Sequence, residues 1–202
     1  RFADLPDPAL IGRQATERAL GAIGAKKLGS AVMNVAVDAR VAGSLLRRMS
    51  GALMGWSLQQ KRSFLEGKLG KPIGSKLLTV DDDPLLPRGL GSRLYDSEGI
   101  AAKKRPIFEG GVLRSYYIDT YYGKKLGVAP TSGSPSNGAW KLGTKDQAAL
   151  LAAMKEGVLV TGFLGGNSND TTGDFSLGIK GFMVRGGKIA EPIAEMNLSG
   201  NH

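Results

Sequence analysis

GVLVTGFLGGNSNDTTGDFSLGIKGFMVRGGKIAEPIAEMNLSGN, residues 157–201, is the stretch that decides the fold. It opens with an apolar run, and Phe175, Leu177 and Ile179 then alternate with small residues, the period-2 pattern of a strand with one buried face. Gly186 and Gly187 are adjacent glycines, which supply the positive φ that a tight hairpin turn needs. The stretch therefore predicts three antiparallel strands in a long meander.

A polar loop at residues 167–173 joins the first two of these strands. Its polar side chains and glycines would let a ligand or another backbone come close. Asn167, Asn169 and Asp170 are therefore candidate contacts with a substrate or a partner. The alternative is a solvated connector whose side chains cap their own turns. Residue types alone leave both interpretations open.

Helical patterns dominate the earlier part of the chain. Asp7 followed by Pro8 predicts a helix start, Asp38 can cap a second helix, and Thr144 begins a third. Residues 127–143 are rich in Gly, Ser, Pro and Asn, which predicts a long mobile loop. The chain shows no internal repeat and no break in composition. We therefore expect a single domain over residues 1–202, of α+β class, in which helices from the N-terminal half pack on a mainly antiparallel meander in the C-terminal half.

Shorter strands are expected at residues 30–37, 76–80, 104–108 and 112–118. Residues 81–83 are three consecutive aspartates followed by Pro84. They lack the alternate ligands and central glycine of a calcium loop. We interpret them as a solvated turn held by proline.

The counts of cysteine and histidine limit the chemistry. The chain has no cysteine, which excludes disulfides and thiolates within these residues and fits a reducing compartment, so we expect a cytoplasmic protein. The one histidine is His202, the last residue, which we expect to be frayed. Zinc hydrolases usually use two or three histidines. No apolar run approaches the ~18 residues of a membrane helix, so we expect no membrane partner.

The net charge of +9 favours acidic partners such as nucleic acid, an acidic protein face or anionic lipid. Four tyrosines lie between two basic clusters and could form a stacking platform for bases: Tyr116, Tyr117, Tyr121 and Tyr122. A half-buried strand running into a helix explains them as well. No recognised nucleic-acid-binding motif accompanies the charge.

Three separated blocks carry a resemblance to a known family: residues 162–201 of the meander, residues 81–127 with their DSEG turn and GGVL hairpin, and SFLEGKLGKPIG at residues 63–74. In this order they resemble the C-terminal domain of the TldD/PmbA family, once called modulators of DNA gyrase. The last block resembles the PmbA (TldE) branch in particular. The resemblance implies that the chain lacks the family's N-terminal α/β domain and its last strands.

This resemblance implies a metalloprotease built from paired subunits. In the TldD branch a helix carries HExxxH, whose histidines bind zinc and whose glutamate acts as base. Laid on this motif, Arg47 and Ala52 fall at the histidine positions and Arg48 falls at the glutamate position. An arginine neither coordinates a cation usefully nor releases a proton near neutral pH. The resemblance thus implies no cofactor in this chain, zinc only in a TldD-type partner, and a further family metal ligand beyond His202.

Three functions follow as hypotheses. The first is a non-catalytic subunit, inactive alone, that joins a TldD-type subunit or a second copy of itself and acts on peptides or unfolded segments. In this hypothesis Arg47 and Arg48 contact an acidic substrate segment or the partner, and the alternative is an ordinary surface ion pair. The second is a basic adaptor that binds DNA gyrase or nucleic acid. The third is a self-sufficient peptidase that uses a carboxylate site.

Overall fold

The computed structural model describes residues 4–202, except for the side chain of Leu46. Besides a short 3-10 helix at Ser50–Leu53, the helices in this part of the chain are α1 Pro8–Gly21, α2 Ala39–Arg48, α3 Gly55–Gln59, α4 Thr120–Leu126 and α5 Gln147–Met154. The strands there are β1 Val35–Val37, β2 Val80–Asp82, β3 Arg105–Glu109, β4 Val112–Leu113, β5 Gly138–Trp140, β6 Gly157–Ser168, β7 Asp174–Arg185 and β8 Lys188–Asn201. The predicted α+β class, with the long strands in the later half, is confirmed.

The chain divides into two compact units. The described part of the first comprises residues 4–45, 145–167 and 175–200, and the second comprises residues 46–144, 168–174 and 201–202. The expectation of a single domain stays a prediction. Within residues 4–202, no helix has both the length and the apolar character needed to cross a bilayer.

The first unit contains a four-stranded sheet in the order β1-β6-β7-β8. β6, β7 and β8 form the predicted meander, and β1 lies parallel to β6 with Val35 opposite Val158. Of the strand expected over residues 30–37, only the last three residues form a strand in the structure. Because alternate residues of a strand share a face, the buried side chains form two clusters: Val158, Val160, Ile179, Met183 and Ile193, and on the other face Leu159 and Val184 with Leu151 of α5. Every residue of α1 is exposed.

We expect Gly181→Ala to destabilise this sheet, because Gly181 in β7 lies directly against the backbone of β6. A Cβ atom would come within 2.9 Å of the Leu159 carbonyl carbon and 3.1 Å of the Val160 Cα. Overpacking of this kind costs about 1–3 kcal/mol. Gly178→Ala in the same strand is the matched control, since its Cβ would find no atom nearer than 3.6 Å. Equal urea midpoints for the two variants would contradict the packing argument.

The second unit contains another four-stranded sheet, in the order β4-β3-β2-β5. The predicted hairpin is present as β3 and β4, with Glu109 opposite Val112. Gly110 and Gly111 take positive φ in its turn, a conformation that glycine adopts at no steric cost. The largest fully buried side chains of this unit are apolar ones: Leu65, Phe108 and Leu113.

The acidic run at residues 81–83 is not the solvated turn that its sequence predicted, because its middle residue is a buried strand residue. Asp82 is 1% exposed, and its carboxylate accepts a hydrogen bond from an Arg105 NH2 group at 3.0 Å and one from the Ser136 backbone N–H at 2.6 Å. The Arg105 guanidinium also lies 5.2 Å from the centre of the Tyr117 ring. Burial raises the pKa of Tyr117, and the charge of Asp82 raises this pKa further. These groups tie β2, β3 and the residues before β5 together.

Residues 127–143 lie mostly outside helices and strands, as their composition predicted. Part of the segment is β5, which pairs with β2 so that Trp140 lies opposite Val80. The Asn137 side chain donates to the Asp83 carbonyl at 2.9 Å and to the Ser92 hydroxyl at 3.0 Å. The mobility of this segment stays a prediction, and these hydrogen bonds argue against it, because polar side chains that favour loops can also bond to distant backbone groups and hold a segment in place.

Candidate functional site

The three residues aligned with the zinc motif lie in different surroundings. Helix α2 ends at Arg48 and the 3-10 helix begins at Ser50, so the motif positions do not share one continuous α-helix. Arg47 is exposed, whereas Ala52 is completely buried in the core of the second unit. Arg48 is half-buried, and its Nε has no hydrogen-bond partner among the residues that the structure describes. The fold therefore does not assemble the three positions into a set of ligands.

Asp170 packs against the backbone of the segment that follows α2. Its carboxylate lies directly against Gly51, where a Cβ atom would collide with it. The Phe64 backbone N–H donates to the Asp170 carbonyl at 2.8 Å, which fixes this part of the loop. The polar loop thus makes the close approach to another backbone that its composition allowed.

The two asparagines of the loop have a different setting. The Asn169 side chain accepts a hydrogen bond from the Thr171 N–H at 2.9 Å, and its carbonyl accepts one from the Gly173 N–H at 2.8 Å. These bonds cap the loop's own turn, as the connector interpretation expects. Asn167 and Asn169 are both exposed. A substrate or partner contact by either of them remains a prediction.

His202 is packed, so the expectation of a frayed residue was wrong. Its backbone N–H donates to the Gly173 carbonyl at 2.9 Å, and its ring stacks on Phe64 with the ring centres 6.5 Å apart and the planes at 18°. Its Nε2 lies 3.4 Å from the Ser168 hydroxyl. The reason is that β8 continues to Asn201 and carries the next residue alongside the loop.

We call Arg48, Asp170 and His202 the charged cluster, because Asp170 and His202 act on each other's pKa and Arg48 acts on the pKa of His202. Burial raises the pKa of Asp170, and the charge of His202 opposes that rise. Burial lowers the pKa of His202, Asp170 raises it and Arg48 lowers it. Because this pKa lies below the value of about 6.5 in an unfolded chain, the unfolded state takes up the proton first as the pH falls. Above a pH of about 6.5, His202 is neutral in both states and the folded state keeps its full stability. As the pH falls from about 6.5 through the lower pKa of the folded state, the folded state loses stability relative to the unfolded chain.

The charged cluster does not fit a zinc ion. Protein zinc sites use three or four Cys, His or carboxylate ligands, whereas this cluster offers one imidazole and one carboxylate beside a guanidinium. Among residues 4–202, no group of three His, Cys, Asp or Glu side chains could hold a metal. The cluster can instead bind a carboxylate through Arg48 and hold or release a proton on His202.

The charges of Asp170 and Arg48 act on the pKa of His202 in opposite directions, so removing each of them should shift this pKa in opposite directions. We expect Asp170→Asn to lower the pKa of His202 and Arg48→Met to raise it, since each variant removes one of the two charges that act on the ring. NMR titration can measure both without ambiguity, because the chain has a single histidine. Arg47→Met is the control, because it removes an exposed charge one residue away and should leave the pKa nearly unchanged. Shifts of the reverse sign would contradict the proximity of the three groups.

Sequence reasoning missed Phe64, Ser168 and His202 as members of this site. Counting outward from the turn at Gly186 and Gly187 pairs residue 201 with residue 172, so a longer third strand would have placed His202 beside the polar loop. No sequence signal marked Phe64, which reaches the loop through tertiary packing alone.

The family model described as the PmbA/TldA metallopeptidase C-terminal domain matches residues 30–202. The chain is 34% identical over 202 residues to the metalloprotease PmbA homolog of Haemophilus influenzae, covering 98% of this chain and 45% of that protein. It is 32% identical over 202 residues to the metalloprotease PmbA of Escherichia coli O157:H7, covering 99% of this chain and 45% of that protein. The chain thus spans less than half the length of these relatives.

Solved structures share the fold. A proposed modulator of DNA gyrase from Bacteroides thetaiotaomicron matches with a TM-score of 0.91 and 47% identity, over 94% of this chain and 44% of that chain. TldE from Thermococcus kodakarensis matches with a TM-score of 0.80 over 94% of this chain and 46% of that chain. Its identity of 22% shows the fold alone.

Proposed function

The chain belongs to the PmbA/TldA metallopeptidase C-terminal domain family, and from this membership we propose that it is the zinc-less subunit of a two-subunit metallopeptidase. Similar curated proteins are named metalloproteases of the PmbA and TldD types. In this proposal a TldD-type partner holds the zinc and hydrolyses the peptide bond. The present chain completes the pair and contributes contacts to peptides or unfolded segments.

The observation that supports this proposal most is the set of residues at the motif positions. Arg47 and Arg48 are cations with no lone pair to give a metal, and Ala52 has no donor at all. Arg47 is exposed and Ala52 lies in the core, so a rotation of side chains would not create a site. These residues support a role beside a zinc subunit and not in its place.

The first unit offers an edge to which a peptide could add. β1 pairs with β6 only at residues 158–160. Residues 161–167 of β6 therefore have no neighbouring strand on that side within the sheet that the described residues form. Backbone hydrogen bonds to such an edge bind an extended peptide largely without regard to its side chains. This edge suits a substrate class of varied, unfolded segments.

The test is reconstitution of the pair. The chain and a TldD-type subunit from the same organism are purified separately and together, and peptide cleavage and zinc content are measured for each sample. We expect cleavage only from the mixture, with stoichiometric zinc in the TldD-type subunit. Cleavage by the present chain alone, or stoichiometric zinc in it, would reject the proposal in favour of a self-sufficient peptidase.

A second candidate function is a basic adaptor that binds DNA gyrase or nucleic acid. It is favoured by the net charge of +9 and by the name of the similar Bacteroides structure as a proposed modulator of DNA gyrase. Binding through phosphate contacts would weaken steeply as salt rises. A titration with duplex DNA at two salt concentrations tests it, and binding that ignores salt would count against a phosphate-directed adaptor.

A further inference from the structure

The DSEG turn, residues 96–99, is a sequence block that neither the charged cluster nor the open edge of β6 uses. Asp96 builds this turn, because its Oδ1 accepts hydrogen bonds from the Glu98 N–H at 2.9 Å and from the Ile100 N–H at 3.0 Å. Glu98 fastens the turn to the start of α4, since its carboxylate accepts hydrogen bonds from the backbone N–H and the hydroxyl of Thr120. The turn is thus held both by its own residues and by α4.

The second oxygen of the Asp96 carboxylate has a different setting. Asp96 is 7% exposed, and its buried Oδ2 accepts no hydrogen bond from the residues that the structure describes. A buried, charged acceptor without a donor is costly, and folded proteins rarely contain one. The surroundings of this oxygen therefore need a hydrogen-bond donor.

A donor with the matching need lies at the same place. The Nε of Arg105 is buried and donates to no acceptor in the described part of the chain, although an NH2 group of this guanidinium binds Asp82. Arg105 and Asp96 line one cavity of about 10 Å³. Ser132 lines it too, and the hydrogen bonds of its hydroxyl are long, 3.3 Å to the Ser134 carbonyl and 3.4 Å from an Arg93 NH2 group. Three polar groups with spare capacity thus surround one small space.

The size and the charges of this cavity select its occupant. One water molecule needs a cavity of about 10–15 Å³ and two to four polar partners. Arg93 and Arg105 would repel a metal cation, and the Asp96 carboxylate would repel chloride or phosphate. A water molecule can donate a hydrogen bond to Asp96 Oδ2 and accept one from Arg105 Nε. We propose that a single buried water molecule in this cavity bridges Asp96 and Arg105.

This water joins the DSEG turn to the second sheet. Arg105 begins β3, pairs with Asp82 of β2 and lies against the Tyr117 ring. Because a guanidinium is planar and rigid, a water bound to its Nε fixes the direction in which the NH2 group meets Asp82. The turn therefore supports the buried ion pair through the water. This role is independent of the proposed function, so it stands or falls by its own experiment.

A crystal structure of the chain, at a resolution that shows ordered water, tests the site. We expect one well-ordered water molecule at about 2.7–3.2 Å from both Asp96 Oδ2 and Arg105 Nε. Direct contact between the two side chains, a chloride ion in the cavity, or a cavity without electron density would each overturn the proposal.

Asp96→Asn tests the same site in solution. The two N–H groups of the turn hold the amide oxygen, so the amide NH2 replaces Oδ2 and places a second donor beside Arg105 Nε. We expect the folded-to-unfolded ratio to fall by about tenfold, because the water loses its acceptor, and the urea midpoint to fall with it. Asp83→Asn is the matched control, since the Asp83 side chain also accepts a hydrogen bond from the N–H two residues ahead, that of Leu85, but does not line the cavity. Equal urea midpoints for the two variants would overturn the bridge.

Discussion

Replacing Asp82 by alanine is expected to lower the free energy of unfolding by about 3–5 kcal/mol, the cost of breaking a buried ion pair from one side. Asp82 is 1% exposed and Arg105 is 15% exposed, so water cannot replace the lost carboxylate. The Nε of Arg105 already has no hydrogen-bond partner among the described residues. The variant also removes the acceptor for the Ser136 N–H and hydroxyl, so the segment before β5 should loosen as well.

Asp81→Ala is the matched control for this prediction. It removes the same group from the neighbouring residue, but Asp81 pairs at the surface with Lys104, where the two side chains are 30% and 55% exposed. Surface pairs contribute about 0–1 kcal/mol. Chemical unfolding of both variants gives the difference directly. If Asp82→Ala costs no more than Asp81→Ala, the buried pair does not stabilise the second unit.

Elements with local signals were predictable from the sequence. Asp119 is a residue type that commonly caps helices, and its side chain accepts a hydrogen bond from the Tyr122 N–H at the start of α4, Thr120–Leu126. The meander was predictable because its alternation extends over long strands and its turn carries two glycines. These signals depend only on residues close in the chain.

The second sheet and the charged cluster had no such local signal. β2 has only three residues. It pairs with β5, whose residues lie more than fifty positions later in the chain than their partners in β2. Asp82 belongs to a run of aspartates before proline, and such a run favours a turn. Its pairing with the largely buried Arg105 is a tertiary contact that the local sequence does not indicate. Arg48 and Asp170 were both candidate contacts, but their proximity to His202 depends on where β8 ends. The second sheet and the charged cluster therefore depend on tertiary contacts that residue type alone does not predict.

Arg48→Glu should reduce kcat/KM of the reconstituted pair by about 10- to 100-fold, if Arg48 binds an acidic group of the peptide. Hydrogen bonds to a charged group contribute about 1.5–3 kcal/mol, which corresponds to that range of rates. Arg48 is suited to the role because its side chain is half-buried and its charge reaches His202, so water and salt screen that charge less than they would at the surface. Arg48→Gln removes the contact without adding a negative charge beside Asp170, so it should retain more activity than Arg48→Glu.

Arg47→Glu is the matched control, because it separates the effect of the site of the substitution from the effect of the change in charge. It makes the same change at the end of the same helix, but the Arg47 side chain is exposed, where solvent and salt screen its field. We expect a clearly smaller loss for Arg47→Glu, measured with an acidic and a neutral peptide. The loss for Arg48→Glu should be concentrated on the acidic one. Equal losses for both variants on both peptides would indicate a general effect of charge on the pair, and Arg48 would then have no specific contact with substrate.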